Sequence, residues 1–74
     1  MAEQHVETEV SGTVLKIECE LGALLAPGDA IVIVESMKME MPVETPAHGT
    51  VLKLLVAVGD AVTEGQVVAV IDIA

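Results

Sequence analysis

The reactive side chains of this sequence converge on one lysine. Lys38 is the centre of Glu35-Ser-Met-Lys-Met-Glu40, and reading outward from it Met37 faces Met39 and Ser36 faces Glu40. That mirror arrangement fits a tight hairpin with Met37 and Lys38 in the turn. Such turns call for positive φ, which Gly or Asn normally supplies. Residues that break a local rule often mark function. Residue chemistry alone, however, reads an exposed turn lysine as a solvated charge. The lysine is therefore a candidate whose weight depends on its surroundings.

The other reactive side chains read as structural. Met37, Met39 and Met41 recur at a spacing of two, which fits a strand face packed with adaptable filler. Cys19 reads as a small buried hydrophobe, and as a lone cysteine it can form no internal disulfide. His5 and His48 lack the paired spacing of a metal site. His5 reads as a solvated strand residue and His48 as part of a turn. Gly22, Gly28, Gly59 and Gly65 do not lead from a strand into a helix, so a phosphate-cradling loop is excluded. No nucleophile–base pair or acid pair stands out, which disfavours an enzyme.

Lys38 must be held by a small all-β scaffold. The chain has 74 residues, of which 53% are hydrophobic and none is Phe, Trp or Tyr. That length allows one small domain. A formal charge of −9 argues against nucleic acid and anionic membranes, which need Lys and Arg. Disorder is excluded by the abundance of apolar residues. The longest apolar runs, such as Ala30–Val34 and Leu54–Val58, are far short of the roughly 20 residues that span a bilayer. The polar, acidic N-terminus is not a signal peptide. These features together suggest a soluble cytoplasmic protein. Met1 and a brief, flexible polar lead over residues 1–4 read as the start of a complete small protein forming one domain over 1–74.

Val and Ile dominate the apolar set, with Gly or Pro every few residues, as in short strands separated by turns. Strands are expected near 5–10, 12–19, 30–36, 39–44, 49–57 and 67–72, with two very short ones near Leu24-Leu25 and Ala61-Val62. Lys16, Glu18 and Glu20 alternate with Ile17, Cys19 and Leu21, so one face there meets water. Leu54-Leu-Val-Ala-Val58 is apolar throughout and is expected to be more deeply buried.

Gly12-Thr-Val-Leu-Lys16 recurs as Gly49-Thr-Val-Leu-Lys53, an offset of 37 residues that continues without a gap. Gly22 falls on Gly59, Gly28 on Gly65, Ile31 on Val68 and Val34 on Ile71. One strand–turn–strand unit is written twice. A unit so small cannot bury its own apolar face, but two copies about a pseudo-two-fold axis can bury each other's. The expected fold is a flattened barrel or sandwich of two four-stranded antiparallel sheets. Ser36–Ala47 is read as an unrepeated insert between the copies. By the pseudo-symmetry, its hairpin and the chain ends should lie at opposite ends of the molecule.

With the repeat in view, Glu35-Ser-Met-Lys-Met39 resembles the attachment signature of biotinyl domains, usually Glu-Ala-Met-Lys-Met. The likeness extends over nearly the whole chain. Gly12-Thr-Val and His48-Gly-Thr-Val are similar to the family's Gly-x-Val strand starts. Thr45-Pro-Ala-His-Gly49 is similar to its Pro-x-x-Gly segment, and Val58-Gly-Asp-Ala-Val-Thr-Glu-Gly-Gln66 to its Val-Gly-Asp-x-Val-x-x-Gly-Gln run. The sequence most resembles small stand-alone biotin/lipoyl attachment proteins and carrier subunits of acyl-CoA carboxylases. It lacks the protruding thumb inserted in one class of those carriers.

The resemblance implies a non-catalytic carrier with biotin as its cofactor. A biotin–protein ligase would join biotin to the Lys38 amine as an amide. Biotin carboxylase would load a carboxyl group, and a carboxyltransferase would pass it to an acyl-CoA or a keto acid. Recognition around the attachment point would fall on Glu35, Ser36, Met37, Met39 and Glu40, with Met41 structural. Ser36 departs from the usual Ala and matches lipoyl domains, which carry Glu-Thr/Ser-Asp-Lys-Ala here. Met37 and Met39 favour biotin. A lipoyl carrier with lipoate on Lys38, and an unmodified β-sandwich adaptor with a Met-rich binding hairpin, are the alternatives.

Overall fold

The computed structural model describes residues 2–73. Its elements are eight strands: β1 (Glu3–Glu7), β2 (Gly12–Ile17), β3 (Leu24–Leu25), β4 (Ala30–Ser36), β5 (Met39–Glu44), β6 (Gly49–Leu54), β7 (Ala61–Val62) and β8 (Val67–Asp72). No helix among the described residues is long and apolar enough to cross a membrane. The strands form two four-stranded sheets, β1-β8-β6-β3 and β5-β4-β2-β7, with every neighbouring pair antiparallel. This is the expected sandwich of two sheets. Advancing each strand by four places turns one sheet order into the other, so the pseudo-two-fold relates whole sheets.

The core is aliphatic. Ile31, Val32, Val34, Val14, Val51, Val68 and Ile71 are fully buried and pack in one cluster. β-Branched side chains suit this role, because they are stiff and fit a pleated surface. The copies are interleaved: β1 and β3 share a sheet with β6 and β8, while β2 and β4 share the other with β5 and β7. Neither copy forms a sheet alone.

The structure extends the repeat beyond its expected limits. β5 is the counterpart of β1, so most of Ser36–Ala47 is repeated after all. Val6 and Val43 are both buried, and so are Thr8 and Thr45. The Thr8 hydroxyl donates to the Val10 carbonyl (2.8 Å), as the Thr45 hydroxyl does to that of Ala47 (2.7 Å). Thr8 N–H donates to the Gln66 carbonyl, and Thr45 N–H to that of Asp29. What remains without a counterpart among the described residues is the turn Met37-Lys38.

Three strands differ in extent from expectation. β1 spans 3–7 rather than 5–10, because Thr8 turns the chain toward Gln66. Glu3 and Gln4 pair with Asp72 and Ile71, so part of the expected lead over 1–4 is strand, while Met1 lies outside the described residues. β2 ends at Ile17 and β6 at Leu54, after which the chain crosses between sheets at the surface. Leu21 is accordingly exposed. In the apolar run after β6, Val56 is buried, but Leu55 and Val58 are 51% and 62% exposed. Apolar character there does not mean depth.

β2 starts beside Glu35, through the pair Thr13 and Glu35, and leads away to Gly22. The Gly22 N–H donates to the Val51 carbonyl at 2.8 Å. Next to Val51, Thr50 pairs with Asp72, which pairs with Glu3. Residues 2–3 and 72–73 therefore lie at the pole of the sandwich remote from the β4–β5 turn.

Candidate functional site

The β4–β5 hairpin is closed by the pair Ser36 and Met39, which leaves Met37 and Lys38 as a two-residue loop. Their φ angles are 52° and 67°. Both lie in the left-handed region, as a type I′ turn requires, although neither residue has glycine's freedom. The primed turn matches the right-handed twist of the flanking strands. The turn thus takes its form from the strands rather than from its own residues.

Lys38 is exposed at the tip, and its ammonium makes no ion pair with the described residues. Met37 is 94% exposed and Met39 63%. Of the two readings of the methionines, a single packed face does not form. Met41, paired with the buried Val34, is half-buried, while the two nearest Lys38 meet solvent. Ser36 is half-buried, and Glu35 and Glu40 are exposed. Glu35 and Glu40 are paired directly across the hairpin, one step below the turn. Like charges so placed repel each other, so the hairpin tolerates them rather than gaining from them.

Below the tip the hairpin is braced. Thr13 pairs with Glu35 on one side and Ala61 on the other. Gly12 holds the tightest approach. A Cβ there would collide with the Glu35 carbonyl oxygen, so only a glycine lets β2 lie this close to β4. Val14 and Val34, the next pair down, are fully buried. The exposed side chain of Lys38 stands on a base of four strands. Sequence reasoning did not assign Gly12 and Thr13 to the site. The recurring Gly-Thr-Val start marked them as special, but nothing in the sequence told which residue lay opposite.

The remaining candidates lie apart from the tip. His5 is exposed on β1, and His48 is exposed just before β6. Cys19 is half-buried and unpaired, and its burial pushes the thiol up from 9.0. No group of three or more His, Cys, Asp or Glu among the described residues is arranged to hold a metal ion. A groove of about 310 Å³ runs along the flank between Glu9, Pro27, Met41, Pro42 and Pro46, and Lys38 is not part of its lining. Lys38 and its neighbours Met37, Met39, Glu35 and Glu40 are all exposed, so a group joined to the Lys38 amine would extend into solvent. The residues present fit a covalently attached group.

The comparisons with known proteins agree with this geometry. A family model described as biotin-requiring enzyme, the biotin/lipoyl domain, matches residues 10–71. No curated protein sequence matches the chain. Among solved structures, the chain is similar to urea carboxylase of Kluyveromyces lactis, with 35% identity and a TM-score of 0.92 over 97% of this chain. It is also similar to a single-chain, multi-domain long-chain acyl-CoA carboxylase, with 28% identity and a TM-score of 0.87 over 93% of this chain. It spans only 6% and 7% of those two proteins. A duplicated β-sandwich carries one exposed lysine at its pole, and the family model covers most of the sequence: the chain belongs to the biotin/lipoyl attachment domain family.

Proposed function

We propose that this chain is a biotin carboxyl carrier, with Lys38 as the attachment point and no bond-making chemistry of its own. The observation that carries this reading is the exposed Lys38 amine in a braced type I′ turn, with Met37 and Met39 on either side, at the pole opposite residues 2 and 73. A partner can engulf the tip without meeting the rest of the molecule. A biotin–protein ligase would form the amide, and biotin, once bound, supplies the group that carries a carboxyl. The chain's part is then to present and to move. Lys38 gives a long unbranched stem, and the β5-β4-β2-β7 sheet gives a firm base. Tethering makes each visit to biotin carboxylase or carboxyltransferase an intramolecular encounter at high effective concentration.

Met37 and Met39 favour biotin over lipoate, whereas Glu35-Ser36 suits either attachment. Intact mass after co-expression with a biotin–protein ligase decides between them. The expected product gains one biotin less one water, and its formal charge goes from −9 to −10 as one ammonium is lost. Lys38→Ala should abolish the gain. Addition of lipoate would support the lipoyl carrier, no addition the unmodified adaptor, and labelling that persists in the Lys38→Ala chain would disprove the site.

A further inference from the structure

The methionines at the tip are not there for the fold. Met37 is 94% exposed and buries almost nothing, yet it occupies a left-handed backbone position that disfavours L side chains. Met39, on the other side of Lys38, is 63% exposed. Met41 belongs to the same strand but is half-buried beside Val34. The two side chains flanking the amine are thus open thioethers, the groups that mild two-electron oxidants convert most readily after thiols.

We infer that Met37 and Met39 form an oxidation-sensitive site that gates acylation of Lys38, a role that rests on the carrier reading above. The oxidant is hydrogen peroxide. The thioether sulfur donates an electron pair to one peroxide oxygen, the O–O bond breaks and an S–O bond forms. The departing hydroxide takes up the proton of the transferred hydroxyl and leaves as water. Sulfur is oxidised to the sulfoxide and peroxide is reduced. Two thiols reverse the step in a sulfoxide reductase, yielding the thioether, a disulfide and water. A sulfoxide is polar and a strong acceptor, whereas a thioether is apolar. An enzyme that closes over the Lys38 amine must cover its immediate neighbours. It would then desolvate an S=O group where it had met a methyl-thioether, which is unfavourable without a matching donor.

The test uses the purified chain, hydrogen peroxide, and a biotin–protein ligase with biotin and ATP. Peptide mapping by mass should show one oxygen added at Met37 and Met39 before any at Met41. The initial rate of Lys38 labelling should fall by about tenfold, equivalent to about 1.4 kcal/mol, and methionine sulfoxide reductases should restore it. In the M37L/M39L double variant, peroxide should leave the variant's own rate unchanged. That chain keeps Cys19 and Met41, so equal inhibition there would place the effect elsewhere and overturn the proposal. Normal labelling of a chain oxidised at both positions would also overturn it, as would oxidation of Met41 first. An untreated chain that takes no biotin would refute the carrier reading and this inference with it; one that labels equally with or without peroxide refutes this inference alone.

Discussion

Met37→Asn should stabilise the protein while impairing its labelling. The parent residue sits at φ 52° and is 94% exposed. A left-handed backbone costs an ordinary L residue about 1–2 kcal/mol, and Asn avoids part of that through local hydrogen bonding. Because almost none of the Met37 side chain is buried, its removal forfeits little apolar stabilisation. The expected gain is about 1 kcal/mol, or roughly 4–8 °C in Tm for a domain of this size. Met37→Gly relieves the same strain but returns about 0.5–1 kcal/mol through the freer unfolded chain, so its gain should be smaller. Without Trp or Tyr to report by fluorescence, urea unfolding is best followed by far-UV circular dichroism. Ligase labelling of the Asn variant should slow, because an apolar neighbour of Lys38 is lost. Midpoints equal to or below the parent's in both variants would refute the strain argument, whatever the labelling shows.

Thr45→Val should destabilise by about 1–3 kcal/mol, since it strips the Ala47 carbonyl and N–H of a buried hydroxyl partner. Thr8→Val should do the same through Val10. The two sites share no hydrogen-bond partner, so urea midpoints should show additive losses. Gly12→Ala should be the more damaging of the two strand-start substitutions, by about 1–3 kcal/mol: its Cβ meets the Glu35 backbone head-on, whereas at Gly49 the nearest atom, the Asp72 carbonyl oxygen, is 2.8 Å away. Gly12→Ala should also slow labelling by shifting the base of the hairpin, and circular dichroism with a streptavidin blot checks both effects. Burial pushes the Cys19 thiol above 9.0, so the folded chain holds the proton that the unfolded chain releases first. That stabilisation is complete below the unfolded value and is lost as pH rises through the folded one. Urea midpoints should fall more steeply above pH 9.0 in the parent than in Cys19→Ala, and parallel slopes would refute the assignment.

Much of the scaffold was legible in the residues. β4, β5 and β8 are bounded as expected: the Val/Ile run of β4 lies between Gly28-Asp29 and the Met37-Lys38 turn, β5 lies between that turn and Thr45-Pro46, and the Val/Ile run of β8 follows Gly65-Gln66. The short strands β3 and β7 follow from the repeat. The edges of the repeat were less visible. Val6-Glu7-Thr8 recurs as Val43-Glu44-Thr45 at the same offset, but the cue is only three residues long. What makes it structural is a pair of buried hydroxyls that bond to residues two positions on, and such packing leaves no periodicity in the chain. The depth of Leu55 and Val58 was misread for a related reason. Hydropathy reports a residue's preference for burial, and the position of the crossing decides whether that preference is met. At the tip, the broken turn rule at Met37-Lys38 pointed to the hairpin and its left-handed backbone. The brace from Gly12 and Thr13 depends on register between strands distant in sequence, and no local pattern encodes that.

Because the two copies are interleaved, the Met37-Lys38 turn is the splice where one copy passes into the next. At the antipode the Ile73 N–H donates to the Ala2 carbonyl at 2.8 Å, so this pair stands where Ser36 and Met39 stand at the tip. The two ends of the sandwich thus differ by one turn rather than by their strands. A circular permutant joined from Ile73 to Ala2 by a second Met-Lys turn, and cut at a surface crossing, would be two-headed. It could be engaged by two enzymes at once, from opposite directions.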